Sequence, residues 1–207
     1  MKYKVVVLMS TGIDSPVAAH LMAEAGANVN LLHMDNGVFT GGNTLDNLYS
    51  IYCKLNSIHP EINLYVASFE NIQKEISKNA DPHFQCVLCK RMMYRAAQRL
   101  ASEIDADAIV TGESMGQVAS QTLSNLQTQD SVVEIPIHRP LIGLDKNEII
   151  EIAKEIDTYQ ISIRPEVCCL LTPDKPRVKS EIDELKKLEE ELEYTSKIDS
   201  LKFKKVD

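Results

Sequence analysis

Apolar and polar positions follow one another along the chain in two recurring patterns. Residues 3–9 (YKVVVLM) are continuously apolar and β-branched, which predicts a buried strand. From 16 to 26 the apolar positions recur at helical spacing, which predicts a helix starting just beyond a short loop. The pair then repeats. Residues 28–34, 62–67 and 108–111 predict further strands, and a fifth is expected within 132–138. Residues 44–55, 69–79 and a long stretch from about 86 to 104 predict helices, as do 146–156, where Asp145 suits the N-cap and Glu148 the first turn. Residues 179–194 predict a charged helix with a stripe of Ile182, Leu185, Leu188 and Leu192.

Strands alternating with helices of this length imply an α/β fold with a doubly wound parallel five-stranded sheet. The expected organisation is one domain over residues 1–172, then a charged C-terminal helix and tail over 173–207, its last dozen residues mobile or docking. In such sheets ligands sit outside the carboxyl ends of the strands, beside the point where the strand order reverses. That rule gathers residues 9–15, 33–36 and 111–114 around one crevice.

The loop between the first strand and helix carries the first candidate chemistry: Ser10, Thr11, Gly12, Ile13, Asp14 and Ser15. Backbone N–H groups and hydroxyls at a helix N-terminus attract phosphate, and Gly12 lets the backbone turn closely. Asp14 would repel phosphate by itself, so it is expected either to help hold Mg²⁺ or to cap the helix. The spacing matches neither a Walker A loop nor G-x-G-x-x-G. It resembles the S-G-G-x-D-S loop of ATP pyrophosphatases (PP-loop enzymes, adenine nucleotide alpha hydrolase-like), with Thr11 in place of a glycine.

The charge narrows the partners. At 207 residues and a net charge of −8, the chain is not built for broad, non-specific nucleic-acid binding. No leader-like apolar segment and no apolar run near 18 residues occurs, so a cytoplasmic protein without a membrane association is expected. Five cysteines in that compartment point to metal or redox chemistry rather than a disulfide framework.

Cys86 and Cys89 form a C-x-x-C at a helix entrance, followed at once by Lys90 and Arg91, a setting expected to favour thiolates. Arg95 and Arg99 continue along the same helix and are expected to lie on a solvated face. Cys53, among apolar neighbours, is expected in the core. Lys146 opens a helix at its positive dipole end, a poor place for a cation and hence a hint of function.

Five segments together resemble successive blocks of one family: STGIDSPVAAHLM, CKRMMYRAA, IVTGESMGQVASQTLSNL, RPLIGLDKNEII and RPEVCCLLTPDKPRVKS. They are similar to the tRNA 4-thiouridine synthetases (ThiI-type sulfurtransferases), over about residues 3–180. The resemblance implies adenylation of the C4 oxygen of a tRNA uridine by ATP–Mg²⁺, then displacement of AMP by sulfur. It implies ATP contacts at Leu8, Met9, His33, Met34, Lys90, Gly112 and Gln121, joined to Ser10, Thr11, Gly12 and Ser15 of the loop. It places the essential lysine at Lys146 and the sulfur-handling cysteine at Cys168, with Asp14 as the catalytic carboxylate. Full-length relatives also carry tRNA-binding THUMP domains, and some a rhodanese domain. A separate THUMP-type protein is therefore expected to supply the tRNA grip, and sulfide or a persulfide carrier the sulfur. A homodimer is left open.

Related thiolation enzymes hold an iron–sulfur cluster on three thiolates, which implies Cys86, Cys89 and Cys168 here. A closed zinc site that adds Cys169, and a Cys86–Cys89 disulfide, are the alternatives. For function, the alternatives are the same chemistry on a small sulfur metabolite such as a thiamine precursor, or a nucleotide-binding module without turnover.

Overall fold

A computed structural model describes residues 2–115, 121–165, 169–171, 176–192 and 195–206. Its frame is a six-stranded sheet in the order β5-β4-β1-β2-β3-β6. The strands are β1 (Lys4–Met9), β2 (Asn28–Asp35), β3 (Asn63–Ser68), β4 (Ala108–Val110), β5 (Ile137–His138) and β6 (Phe203–Val206). The first five run parallel, and β6 lies antiparallel to β3. The helices are α1 (Asp14–Glu24), α2 (Thr44–Ile58), α3 (Glu70–Asn79), α4 (Gln85–Ile104), α5 (Leu123–Asp130), α6 (Lys146–Glu155), α7 (Tyr159–Ser162), α8 (Ile182–Leu192) and α9 (Thr195–Asp199). Among the described residues no helix is long and apolar enough to cross a membrane.

Alternation along β1 feeds two cores. Val5 and Val7 face one side, with Leu31, Leu48, Ile51, Leu55 and Ile149. Val6 faces the other, with Leu32, Phe69, Ile72, Met92, Leu100 and Leu185. A strand buried on both faces needs apolar residues at every position, which is why β1 reads as a continuous run.

The chain winds outward from β1 through β2 to β3, then returns to lay β4 on the other flank of β1. The reversal point is therefore beside the carboxyl end of β1, where the Ser10–Ser15 loop begins.

The sixth strand corrects the expected five. It comes from residues read as tail, and it covers the free edge of β3 in register from Leu64↔Val206 to Ala67↔Phe203. Phe203 and Val206 are half-buried while Lys204 and Lys205 are exposed, the lysine-rich habit of a protected edge strand.

The cations of α4 are also not a solvated face. Arg91 is fully buried and donates from Nε and an Nη to both oxygens of Glu189 on α8, at 2.8 and 2.7 Å. Arg95 grips the same carboxylate at 2.7 and 2.8 Å. Arg99 pairs with Glu103 at 3.0 Å, stacks over the Phe203 ring at 5.3 Å and donates to the Ile198 carbonyl. Cys53 is exposed rather than in the core.

Candidate active site

The turn after β1 closes on itself through its hydroxyls. Ser10 N–H donates to Ser15 Oγ at 2.9 Å, and Ser15 Oγ donates to the Ser10 carbonyl at 3.1 Å. Gly12 N–H reaches Ser10 Oγ at 3.3 Å. The loop therefore holds its shape while α1 starts directly from it, at Asp14.

The exit of β4 forms the opposite wall. A Cβ built on Gly112 would lie 2.7 Å from Ser15 N and 2.8 Å from Ser15 Cα. Both are backbone atoms that cannot step aside, so only glycine lets β4 approach the loop this closely.

Two adjoining hollows flank the loop. One, of about 240 Å³, is lined by Ser10, Gly12, Asp14, Ser15, Gly112 and Gln121 among others. The second, of about 380 Å³, takes in Met9, Thr11, His33, Met34, Cys86 and Cys89. Leu8, Ser10, Gly12, Lys90 and Met93 line both, so the loop stands on the boundary between them. His33 Nδ1 sits 2.9 Å from the Met9 carbonyl, which can only accept, so that nitrogen carries the proton.

Lys146 does not stand in either wall. It reaches across from the start of α6 and pairs with Asp14. Asp145 is the expected N-cap, and with Glu148 it closes a capping box: Asp145 accepts from Asn147 N–H at 2.8 Å, while Glu148 accepts from Asp145 N–H at 2.7 Å.

A buried ionic network just behind the loop carries residues to which the sequence reading gave no role. Glu113 accepts from Lys90 Nζ at 2.8 Å, Tyr94 OH at 2.7 Å, Arg139 Nε at 2.9 Å and Thr111 Oγ1 at 3.1 Å. Burial pushes the Glu113 carboxyl up, but Lys90, Tyr94 and Arg139 outweigh it and hold the group below the usual carboxylate range. Burial and the Glu113 charge push the Tyr94 phenol up, so it stays a donor. The available signal was the acid directly after Gly112, at the exit of a central strand.

The cysteines depart from expectation. Cys86, Cys89 and Cys169 line the larger hollow together. Burial, then the nearby Cys169, pushes both Cys86 and Cys89 thiols up, with Lys90 opposing too weakly to reverse it. Cys89 donates to Gln73 Oε1 at 2.9 Å. The thiolate-favouring environment is therefore absent, because Lys90 turns toward Glu113 and burial dominates. Cys168, and residues 116–120 of the block IVTGESMGQVASQTLSNL, lie outside the described residues.

The chain is similar to known proteins. Residues 1–194 match the family described as thiamine biosynthesis protein (ThiI). A probable tRNA sulfurtransferase of Thermoanaerobacter pseudethanolicus is 40% identical over 198 residues, covering 95% of this chain and 52% of that protein. The chain thus spans about half the length of the curated relatives it matches. A crystal structure of a 4-thiouridine synthetase–RNA complex with bound ATP superposes with a TM-score of 0.92 at 34% identity, covering 99% of this chain and 55% of the other. The U34-tRNA thiolase NcsA from Methanococcus maripaludis, solved with its [4Fe-4S] cluster, shares the fold at a TM-score of 0.60 and 19% identity, over 95% of this chain and 69% of that one.

Proposed function

The chain belongs to the ThiI family, and on that premise we propose that it is an ATP-dependent sulfurtransferase acting on a tRNA uridine. The observation that carries the reading is the position of the Ser10–Ser15 loop. It lies between a hollow lined by Asp14, Gly112 and Gln121 and one lined by three cysteines. Activation and sulfur delivery then meet at one boundary.

The reaction needs two displacements. A uracil C4 carbonyl is a poor electrophile, because ring nitrogens donate into it and oxide is a poor leaving group. Its oxygen bonds to the α-phosphorus of ATP and the bond to pyrophosphate breaks. Sulfur then bonds to C4, and AMP departs with the former carbonyl oxygen. The loop N–H groups with Ser10 and Ser15 hold the pyrophosphate, and Leu8, Met9, Thr11, Gly12, His33, Met34, Gly112 and Gln121 line the nucleotide. Lys146 supplies the cation that meets charge developing on the phosphates. Lys90, tied to Glu113, fixes the wall between the hollows instead of acting as a free charge.

Two groups fit the residues present. Among the described residues Asp14 and Glu113 are the two acids lining the smaller hollow. Glu113 already accepts from four donors, so Asp14 is the carboxylate for Mg²⁺, which would neutralise phosphate charge. Cys86 and Cys89 open onto the same hollow as Cys169, and with Cys168 they supply enough thiols for an iron–sulfur cluster, with zinc as the alternative. Such a cluster, when bound, offers an open iron for sulfide.

Arg91 and Arg95 of α4 are spent on Glu189, and Arg99 on Glu103, which supports a separate tRNA-binding partner of THUMP type. The same neutralisation favours a second reading, in which a small sulfur-metabolite precursor is the acceptor. The test incubates the chain with ATP–Mg²⁺ and sulfide, with and without tRNA. Pyrophosphate and thiolated uridine that both require tRNA are expected. ADP and phosphate as products would overturn the reading, and tRNA-independent pyrophosphate release would favour the small acceptor.

A further inference from the structure

At the opposite end of α1 from the loop, three side chains no part of the reaction uses converge at one point. His20 and Glu24 lie one turn apart on α1, at the i, i+4 spacing that places both on one face. His59 is the C-cap of α2. Its Nε2 is 2.9 Å from His20 Nδ1 and 3.7 Å from Glu24 Oε1. All three ligand atoms lie within 4.8 Å of one another.

We propose that His20, Glu24 and His59 form a binding site for a divalent transition metal of the zinc class, a structural clip between α1 and α2. Two imidazoles and a carboxylate are a donor set that zinc favours, with water completing four-coordination. For metal–nitrogen bonds of about 2.0–2.1 Å, tetrahedral ligands stand about 3.3 Å apart. The imidazole nitrogens need to part only slightly to admit the ion.

Proton bookkeeping agrees. Two imidazole nitrogens at hydrogen-bond distance can share one proton, so one already presents a bare lone pair. The scaffold is also set: His59 N–H donates to Leu55 O at 2.8 Å, and its carbonyl accepts from Ile62 N–H at 3.1 Å. The main chain of His59 is thereby fixed beside α1 without help from the metal, and the His20 contact orients its ring. Partial burial of both histidines limits water competition, while exposed Glu24 leaves an entry path.

The site is remote from the chemistry. Asp14 and the phosphate loop stand at the N-terminus of α1, and Glu24 at its C-terminus, just before β2 begins at Asn28. A metal there ties the helix that carries the loop to its neighbour, and takes no part in turnover.

The experiment is titration of chelator-treated full-length chain with Co²⁺, followed by calorimetry and visible absorption, in a Cys86→Ser/Cys89→Ser background and in the unaltered protein. In the double-serine protein one equivalent should bind in the micromolar range, with ligand-field bands of four-coordinate Co²⁺ and no sulfur-to-metal charge transfer; in the unaltered protein the same equivalent binds beside any taken by the cysteines. In that background Glu24→Gln, at an exposed position, and His59→Gln should each weaken binding at least tenfold, and Zn²⁺ should raise Tm only where the three residues are intact. Absence of binding in the double-serine background, or binding that neither substitution weakens, would overturn the proposal.

Discussion

The Nζ of Lys146 donates to Oδ1 of Asp14, joining the first residue of α6 to the first residue of α1 across 132 positions of sequence. The two charges sit at positive helix ends, where the carboxylate is favoured and the ammonium disfavoured, each by about 0.3–1 kcal/mol. Pairing offsets the lysine's cost and holds it at the lip of the loop. A cation kept there against its helix dipole is placed for charge that arrives during reaction.

Lys146→Ala should therefore leave ATP affinity within about tenfold, or ~1.4 kcal/mol. Pyrophosphate release should fall by about 10²-fold or more. Equilibrium nucleotide binding measured beside single-turnover pyrophosphate release checks this, and equal losses in both would contradict it.

Gly112→Ala should damage the loop rather than the fold. The new methyl meets the Ser15 backbone below any permitted distance, and relieving it costs about 1–3 kcal/mol. Nucleotide affinity should drop at least tenfold, with circular dichroism unchanged at room temperature. A crystal structure of the variant should show Ser15 displaced.

Glu189→Gln should be among the most destabilising surface-helix substitutions. Burial alone raises the Glu189 carboxyl, but hydrogen bonds from Arg91 and Arg95 outweigh it, so its folded value lies below the ordinary one. A lowered carboxylate pKa gives stability that is complete above the unfolded value, about 4.3, and fades as pH falls through the folded one. Chemical unfolding at pH 7 should show a loss of about 3–5 kcal/mol, since buried Arg91 loses its counter-charge. The gap between variant and parent should narrow only below about pH 4.

Thiol alkylation should follow exposure and thiolate fraction. Exposed Cys53 should react first, then half-buried Cys86, and Cys89 last. Because both of the latter are raised, their rates should keep climbing with pH beyond the ordinary thiol range of about 8.5. Peptide mapping of iodoacetamide-treated, metal-free protein reads the order, and early labelling of Cys89 would refute it.

The central strands and the loop were legible because burial on both faces writes a continuous apolar run, and because a run of small, hydroxyl-bearing residues stands out directly after it. Where the reading failed, a partner distant in sequence decided the outcome. Arg95 looks like a solvent cation until Glu189 arrives from 94 residues away. Cys53 was misplaced although Ile51 and Leu55 are buried, because two helical steps turn it about 200° away from each. Lys204 and Lys205 hid β6 by making an edge strand look like a solvated tail. The Glu113 network stayed invisible because nothing local marks which acid will meet Lys90, Tyr94 and Arg139.

Asp14 and Lys146 come together only after every intervening strand has been threaded, and Gly112 presses on Ser15 only once β4 has paired beside β1. The loop is local in sequence, yet its walls have high contact order, and such contacts form late because chain entropy must be overcome first. A partly folded chain would thus possess the loop without its walls. Nucleotide capture during refolding should accordingly lag behind helix formation, making it a clock for the last docking step of the chain.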